Sequence, residues 1–338
     1  MVASRLRIYP RYVVGDTYKS AFSVKVRNRT DAVFSNVSGL SHTDVGISMV
    51  VQKDYVYILA SDCLSVYDRI TNTRVSLVRT PEIQLVFNCL AVNKAQVYIG
   101  TSDGVYVIAK NGLLRDSPES YFNLKFSYVY LGGKNVKHIA CNTVSGSEYL
   151  AVSHENGMTL ITNDGQYVSY LSAADSNPGD LIVTSKGQIY YGNGTNGLYF
   201  INSPNNSGSI YLSIPFEDYL YSSLPSKIVK DISVSEDSVS DFKNTIFVAT
   251  ASGVSIITED TVLNSLSSIR NISISNITGI FTSEGATTDS GYLYYCTNNS
   301  STGVFVKYNL STDSVEESYN TSSDSIVSSN EFTFISKI

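Results

Sequence analysis

The sequence predicts an all-β protein built from one repeated four-stranded antiparallel unit. In the recurring segment a small residue, most often glycine, opens an alternating apolar strand that ends in a polar turn. Successive copies begin 42, 41, 53, 40, 56 and 50 residues apart. A period of about 40–50 residues that contains only strands is typical of propeller blades, so the predicted architecture is a seven-bladed β-propeller. The copies begin at Ala21, Cys63, Gly104, Gly157, Gly197, Gly253 and Gly303.

Residues 83–115 contain the clearest copy of the unit. Residues 83–92 and 96–101 are predicted as its first two strands, and Asp103-Gly104 as a hairpin turn, since glycine adopts positive φ at little cost. Residues 104–109 are the third strand, and a turn leads into a short fourth strand at residues 113–115. The same order predicts further blades at about residues 40–78, 136–172, 178–213, 228–266 and 277–319.

The two ends of the chain are predicted to share the remaining blade. Residues 324–335 resemble the first two strands of the blade near residue 178, and residues 21–34 resemble the last two strands of the final blade. Joining them closes the ring and removes exposed sheet edges. Residues 21–338 then form a single domain, and residues 1–20 are a basic N-terminal arm outside it. An alternative assignment gives residues 4–13 the second-strand position and leaves one strand to the C-terminus.

Charge is sparse and unevenly distributed along the 338 residues. Charged residues make up 16% of the chain, whose net charge is −6. Residues 1–30 hold seven Lys and Arg residues against Asp16 alone, which leaves a more acidic remainder. A basic segment on an acidic body can dock an acidic partner, or it can block pairing at a strand edge. General nucleic-acid binding is not expected from so acidic a body.

The sequence also bears on location and redox state. No apolar run has the length of a signal peptide or a membrane span. The expected location is therefore the cytoplasm, or a virion if the protein is viral. The four cysteines lie in apolar runs and are expected to be buried free thiols. They are Cys63, Cys89, Cys141 and Cys296.

No motif in the chain specifies a reaction. The sequence has no nucleophile elbow, phosphate-binding loop or calcium loop. His42 and His138 precede or enter predicted first strands, but without a cluster of paired carboxylates they argue only weakly for a metal. His154 is predicted to lie in a turn. We therefore expect no catalytic residue, no metal and no cofactor.

Two long connections rich in aromatic residues interrupt the repeat, at residues 114–135 and 214–230, and a polar insertion spans residues 234–244. Aromatic loops on a rigid scaffold are natural contact surfaces, although the same rings can also fold back onto the sheets. Glycan binding is a further hypothesis, because Tyr and Asn are abundant, although Trp is absent. The residues predicted to dock protein partners are Arg5, Arg7, Arg11, Tyr121, Phe122, Phe126, Phe216 and Tyr219.

The repeat resembles that of the seven-bladed β-propeller superfamily over residues 21–338. The chain lacks the Gly-His and Trp-Asp marks of WD40 repeats and the double glycine of kelch repeats, so the resemblance implies a fold and carries over no functional residues. Low charge, polar loops and the predicted terminal closure also resemble propellers of bacteriophage tails and virions. We therefore predict a non-catalytic structural or protein-interaction propeller, as a virion or tail component with other virion proteins as partners. The alternatives are a glycan- or receptor-binding module and a hydrolase or lyase with a channel-mouth site.

Overall fold

The chain forms an all-β structure in the regions that the computed structural model describes. Strands are numbered β1–β28 in chain order. The chain divides into two compact units, the first comprising residues 1–136, 298–305 and 319–338 and the second comprising residues 137–297 and 306–318. The described residues are 5–14, 19–28, 35–42, 46–52, 54–60, 63–68, 74–79, 85–115, 119–121, 126–144, 146–162, 167–170, 178–192, 197–201, 224–235, 245–260, 265–282, 291–299, 302–320 and 331–337.

One sheet of the first unit takes strands from both ends of the chain. Its order is β28-β1-β2-β3, and β28 is antiparallel to β1, with Ile8 opposite Ile335. Residues 5–14 therefore hold the second-strand position, as in the alternative assignment. This corrects the preferred assignment of residues 1–20 to an outside arm, because β1 finds backbone partners on both of its sides. The strands are β1 (Arg5–Val14), β2 (Lys19–Asn28), β3 (Ser35–His42) and β28 (Glu331–Lys337).

The next two sheets of the first unit follow the predicted blades, with one addition. The short strand β11 pairs in parallel with β7 and extends its sheet to five strands, in the order β11-β7-β6-β5-β4. The third sheet has the order β12-β10-β9-β8. The strands are β4 (Gly46–Gln52), β5 (Tyr55–Ala60), β6 (Cys63–Asp68), β7 (Arg74–Arg79), β8 (Phe87–Val92), β9 (Gln96–Thr101), β10 (Gly104–Ala109), β11 (Glu119–Tyr121) and β12 (Phe126–Tyr130).

The predicted fourth strand at residues 113–115 is wrong. These residues end a short helix, α1 (Lys110–Arg115), and β12 pairs with β10 instead. The helix is anchored at its start by Lys110, whose Nζ donates to the Asn93 carbonyl at 3.3 Å, and Leu113 is buried in the core with Tyr57 and Phe87. Burial of Leu113 thus outweighs its strand-like sequence. Within the described residues, no helix is long and apolar enough to cross a membrane.

The remaining sheets lie wholly or mainly in the second unit. Their orders are β13-β14-β15-β16, β17-β18-β19, β20-β21-β22-β23 and β24-β25-β26-β27. The strands are β13 (Val136–Val144), β14 (Ser147–His154), β15 (Gly157–Thr162), β16 (Tyr167–Tyr170), β17 (Leu181–Val183), β18 (Ile189–Gly192), β19 (Leu198–Ile201), β20 (Val229–Ser235), β21 (Thr245–Thr250), β22 (Gly253–Asp260), β23 (Ser265–Ser273), β24 (Ile277–Thr282), β25 (Tyr292–Asn299), β26 (Thr302–Asn309) and β27 (Ser314–Asn320).

The repeated glycine at the start of the third strand has a steric cause. A Cβ on Gly104 would lie 2.6 Å from the Tyr130 carbonyl oxygen, and one on Gly253 would lie 2.4 Å from the Ile272 carbonyl oxygen. In both sheets the fourth strand passes too close for any side chain. Gly104 also has a φ of 104°, which confirms the predicted Asp-Gly hairpin.

Second strands are buried on both faces, as in β21, where all six residues are buried. Both faces of such a sheet must therefore pack against neighbours. In the second unit, Tyr190 and Phe200 of one sheet form a core with Val229, Ile246 and Val248 of the next. The hydrophobic cores lie between consecutive sheets.

A substitution at Gly192 can test this close packing. A Cβ at Gly192 would lie 2.7 Å from Val229 Cβ, so we expect Gly192→Ala to lower the free energy of unfolding by about 1–3 kcal/mol. Urea denaturation measures the loss. Gly132→Ala is the matched control, because no atom lies within 4 Å of the position that its Cβ would occupy, and it should leave the midpoint unchanged. Equal midpoints for both variants would contradict the packing described.

Candidate functional site

Four first strands, β4, β8, β20 and β24, carry a β-bulge near their start. One residue is skipped in the pairing with the second strand, and the residue after it is the first to resume the ladder. This shared irregularity places equivalent side chains at the same point of successive sheets. The residues that follow the bulge are Ser48, Cys89, Asp231 and Gly279.

Asp180 and His138 occupy corresponding positions in two further sheets. Asp180 directly precedes Leu181, which pairs with β18 as Ile232 pairs with β21. His138 is the third residue of β13, as Asp231 is the third residue of β20. Equivalent positions in three consecutive sheets of the second unit therefore carry a histidine and two aspartates.

These three side chains form a continuous network, which we call the acid junction. His138 Nδ1 lies 3.4 Å from Asp180 Oδ1. The Ile232 N–H donates both to Asp180 Oδ2 at 3.1 Å and to Asp231 Oδ1 at 2.9 Å. The Ile280 N–H donates to Asp231 Oδ2 at 2.7 Å. The junction thus connects β13, the start of β17, β20 and β24.

The pKa values of the two carboxyl groups are shifted in opposite directions. Burial, followed by the charge of Asp180, raises the pKa of Asp231 well above its ordinary value. Burial also acts to raise the pKa of Asp180, but the hydrogen bond to His138 and its charge outweigh burial and hold that pKa below its ordinary value. The side chains of His138 and Asp180 are 35% and 23% exposed, so the junction reaches solvent.

Uncharged side chains make similar hydrogen bonds between first strands. In the second unit, Asn142 Nδ2 donates to the Val183 carbonyl at 3.0 Å, which joins β13 to β17. In the first unit, Asn88 Nδ2 donates to the Val136 carbonyl at 2.7 Å. A polar side chain of a first strand that reaches the backbone of the next first strand is a general feature, and the acid junction is its charged form.

The structure places the three histidines differently. His138 has a carboxylate partner, Asp180, that the sequence did not reveal. His154 is the last residue of β14 and pairs with Gly157, so the prediction that it lies in a turn is wrong; its ring is buried, its Nδ1 accepts the Asn156 N–H at 3.1 Å and its Nε2 lies 2.9 Å from Thr159 Oγ1. His42 ends β3, of which only the backbone is described.

The predicted docking residues are not assembled into one site by the described contacts. Arg5, Arg7 and Arg11 lie in β1, Tyr121 ends β11 and Phe126 begins β12. Their partner-binding role stays a prediction. Phe122, Phe216, Tyr219 and the insertion at residues 234–244 lie outside the described residues.

Asp180 and Asp231 were not identified by sequence reasoning, although a signal existed. Both are aspartates that directly precede an apolar run at the start of a predicted blade, in Gly179-Asp180-Leu181 and Lys230-Asp231-Ile232. Aligning the first strands by their position in the repeat brings the two together. Their proximity in space depends on how the two sheets pack, which the sequence does not mark.

The four cysteines form no disulfide, and Cys63, Cys89 and Cys296 are buried. Burial, and then the charge of Glu148, raises the pKa of the Cys141 thiol to about 12. A thiol held in its neutral form is a poor nucleophile and a poor metal ligand. Within the part of the chain that the structure describes, no group of three or more His, Cys, Asp and Glu side chains is arranged to hold a metal ion.

Comparison with known proteins bears on the fold. No family model matches the chain. No curated protein matches it either. A solved protein from Lactobacillus plantarum aligns over 100% of both chains with a TM-score of 0.65 and 13% identity. One from Bacteroides uniformis, provisionally assigned as a 6-phosphogluconolactonase, aligns over 100% of both chains with a TM-score of 0.62 and 14% identity.

The fold is a β-propeller. The structure of U3-55K is also similar, over 81% of this chain and 80% of its own, with a TM-score of 0.54 and 10% identity. These solved proteins carry different names, and at such low identity the likeness extends to the fold alone.

Replacing His138 should show how much its contact with Asp180 contributes to stability. We expect His138→Ala to lower the free energy of unfolding at pH 7 by about 0.5–1 kcal/mol, because solvent screens the partly exposed pair. The depressed pKa of Asp180 stabilises the fold above the ordinary aspartate pKa, and this contribution disappears as pH falls through the depressed value. The difference between wild type and variant should therefore shrink in acid.

Asn142→Ala is the matched control for this experiment. It removes a neutral tie between the same two strands, so its loss of stability should not vary with pH. Urea denaturation between pH 7 and pH 3 measures both variants. If the loss of unfolding free energy in His138→Ala stays constant over this pH range, His138 does not stabilise ionised Asp180.

Proposed function

We propose that the chain is a non-catalytic, seven-bladed propeller, closed by the sheet shared between its termini, that binds other proteins. The observation that carries this proposal is the state of the acid junction. Each of its four carboxyl oxygens is already directed at His138 or at a backbone N–H. A nucleophile or general base needs an oxygen directed at its substrate. These oxygens hold strands together instead.

Exposed strands at the sheet ends support a binding role. β11 adds to the outer side of β7, so a blade of this protein accepts a fifth strand. Within the described residues, β27 ends its sheet with no strand beyond it, and Val315 on it is 53% exposed. An extended segment of a partner can add to such an edge through backbone hydrogen bonds. The virion setting and the glycan alternative remain predictions.

Strand addition at β27 can be tested by substitution. We expect Val315→Lys to weaken binding of the natural partner at least about tenfold, because a lysine on a strand edge opposes pairing with another strand. Thr312→Lys is the control, since it adds the same charge in the exposed turn before β27. Titration calorimetry with the purified partner measures both variants. Equal weakening, or none, would contradict docking at this edge.

A second candidate is hydrolysis at the acid junction. A histidine beside two aspartates that share a proton is a common arrangement in acid–base catalysis, and the junction is partly exposed. The provisional name of the similar protein from Bacteroides uniformis suggests phosphorylated sugar lactones as the first substrates to try.

An activity assay distinguishes the two candidates. We expect the wild-type protein and Asp180→Asn to hydrolyse 6-phosphogluconolactone and simple aryl esters no faster than buffer, because the junction is structural. Stopped-flow pH-indicator measurements follow the reaction. Hydrolysis that is lost in Asp180→Asn and retained in Asn142→Ala would overturn the non-catalytic proposal in favour of an enzyme.

A further inference from the structure

A single N–H group lies between two carboxyl groups in the acid junction. The Ile232 nitrogen is 2.9 Å from Asp231 Oδ1 and 3.1 Å from Asp180 Oδ2, so these two oxygens are themselves neighbours. One hydrogen cannot offset two full negative charges at this separation, because like charges in close contact disfavour ionisation of the second group. The arrangement therefore requires one additional proton on the pair.

The surroundings decide which aspartate holds that proton. Asp180 faces His138, which favours an ionised carboxylate. Asp231 accepts the Ile232 and Ile280 N–H groups and lies beside the charge of Asp180. Protonated Asp231 still accepts both N–H groups and can donate its own hydrogen towards Asp180.

The strands around Asp231 provide little to offset a second negative charge. β17, β21 and β24 contain no ionisable residue, and β18 contributes only its tyrosines. Cys296 of β25 is buried, and burial raises its thiol pKa well above the ordinary value, so the thiol is neutral. Lys230 is adjacent in sequence but exposed. His138 contacts Asp180 rather than Asp231.

We propose that the acid junction is a proton-dependent clasp. With one proton bound, it ties the first strands of successive sheets in the second unit; without that proton, Asp180 and Asp231 repel each other and the tie between β17, β20 and β24 loosens. Loss of the proton leaves two carboxylates on one N–H, so Asp231 must turn away and release the Ile232 or the Ile280 N–H. The clasp is closed while the pair holds its proton and opens as rising pH removes it.

The direction of the pH effect follows from linkage. Asp231 binds its proton more tightly in the folded chain than in the unfolded chain, so its contribution to stability declines as pH rises from the ordinary aspartate pKa through the raised value. Asp180 acts in the opposite sense, but only below the ordinary pKa. Between mildly acidic and alkaline pH, Asp231 therefore controls the behaviour of the junction.

The test compares the wild-type protein with Asp231→Asn from pH 5 to pH 9. Asparagine cannot ionise, so the unfolding equilibrium constant of the wild type should rise relative to the variant by up to about tenfold per pH unit within the titration window of Asp231. Urea denaturation measures both proteins. The variant also loses one acceptor for a backbone N–H group. This loss shifts its stability by an amount that does not vary with pH, so the dependence of stability on pH can still be compared.

Asp54→Asn is the matched control, because Asp54 lies exposed in the turn between β4 and β5, and this variant should keep the wild-type slope. Carbon-13 NMR of the wild-type aspartate carboxyl groups supplies a readout that does not need the variant to fold. It should detect one aspartate that titrates well above the ordinary value of about 4. Parallel stability curves, or no such aspartate, would overturn the clasp, and neither result depends on whether the protein binds partners.

Discussion

The packing of one sheet face against the next is the constraint on which the rest of this structure depends. Second strands such as β21 are buried along their whole length, so a sheet separated from its neighbours would expose apolar surface on both sides. Contacts between consecutive sheets must then be very close, as Gly179 and Gly192 allow around Val229. Apolar burial supplies the stability, and the glycines permit the approach that achieves it.

Close packing has a consequence for polar groups at the first strands. Each of these first strands ends its sheet, so the backbone N–H and C=O groups on its outer side need partners other than a strand of the same sheet. Side chains from the neighbouring first strand supply them: Asn88 and Asn142 reach carbonyl oxygens, whereas Asp180 and Asp231 accept N–H groups. The acid junction therefore provides hydrogen-bond acceptors for backbone N–H groups. Because these acceptors are carboxyl groups, the junction is sensitive to pH.

Prediction from sequence succeeded where the local backbone geometry allows only one residue type. Glycine at the head of a third strand marks the close passage of the fourth strand, and the Asp-Gly pair marks a hairpin. Prediction failed where contacts between residues distant in sequence determine the secondary structure. Residues 113–115 read as a strand, but burial of Leu113 among residues of other strands favours a helical turn. Residues 5–14 read as an arm, yet partners on both sides make them a strand.

The sequence by itself determined the repeat, the antiparallel four-stranded unit and most strand boundaries, because these follow from the alternation of side chains and from turn residues within a few positions. Only the tertiary structure decided that Asp180 and Asp231, 51 positions apart in the chain, accept the same N–H group. The physical reason is that their meeting depends on the packing of successive sheets, which arises from contacts between segments distant in sequence.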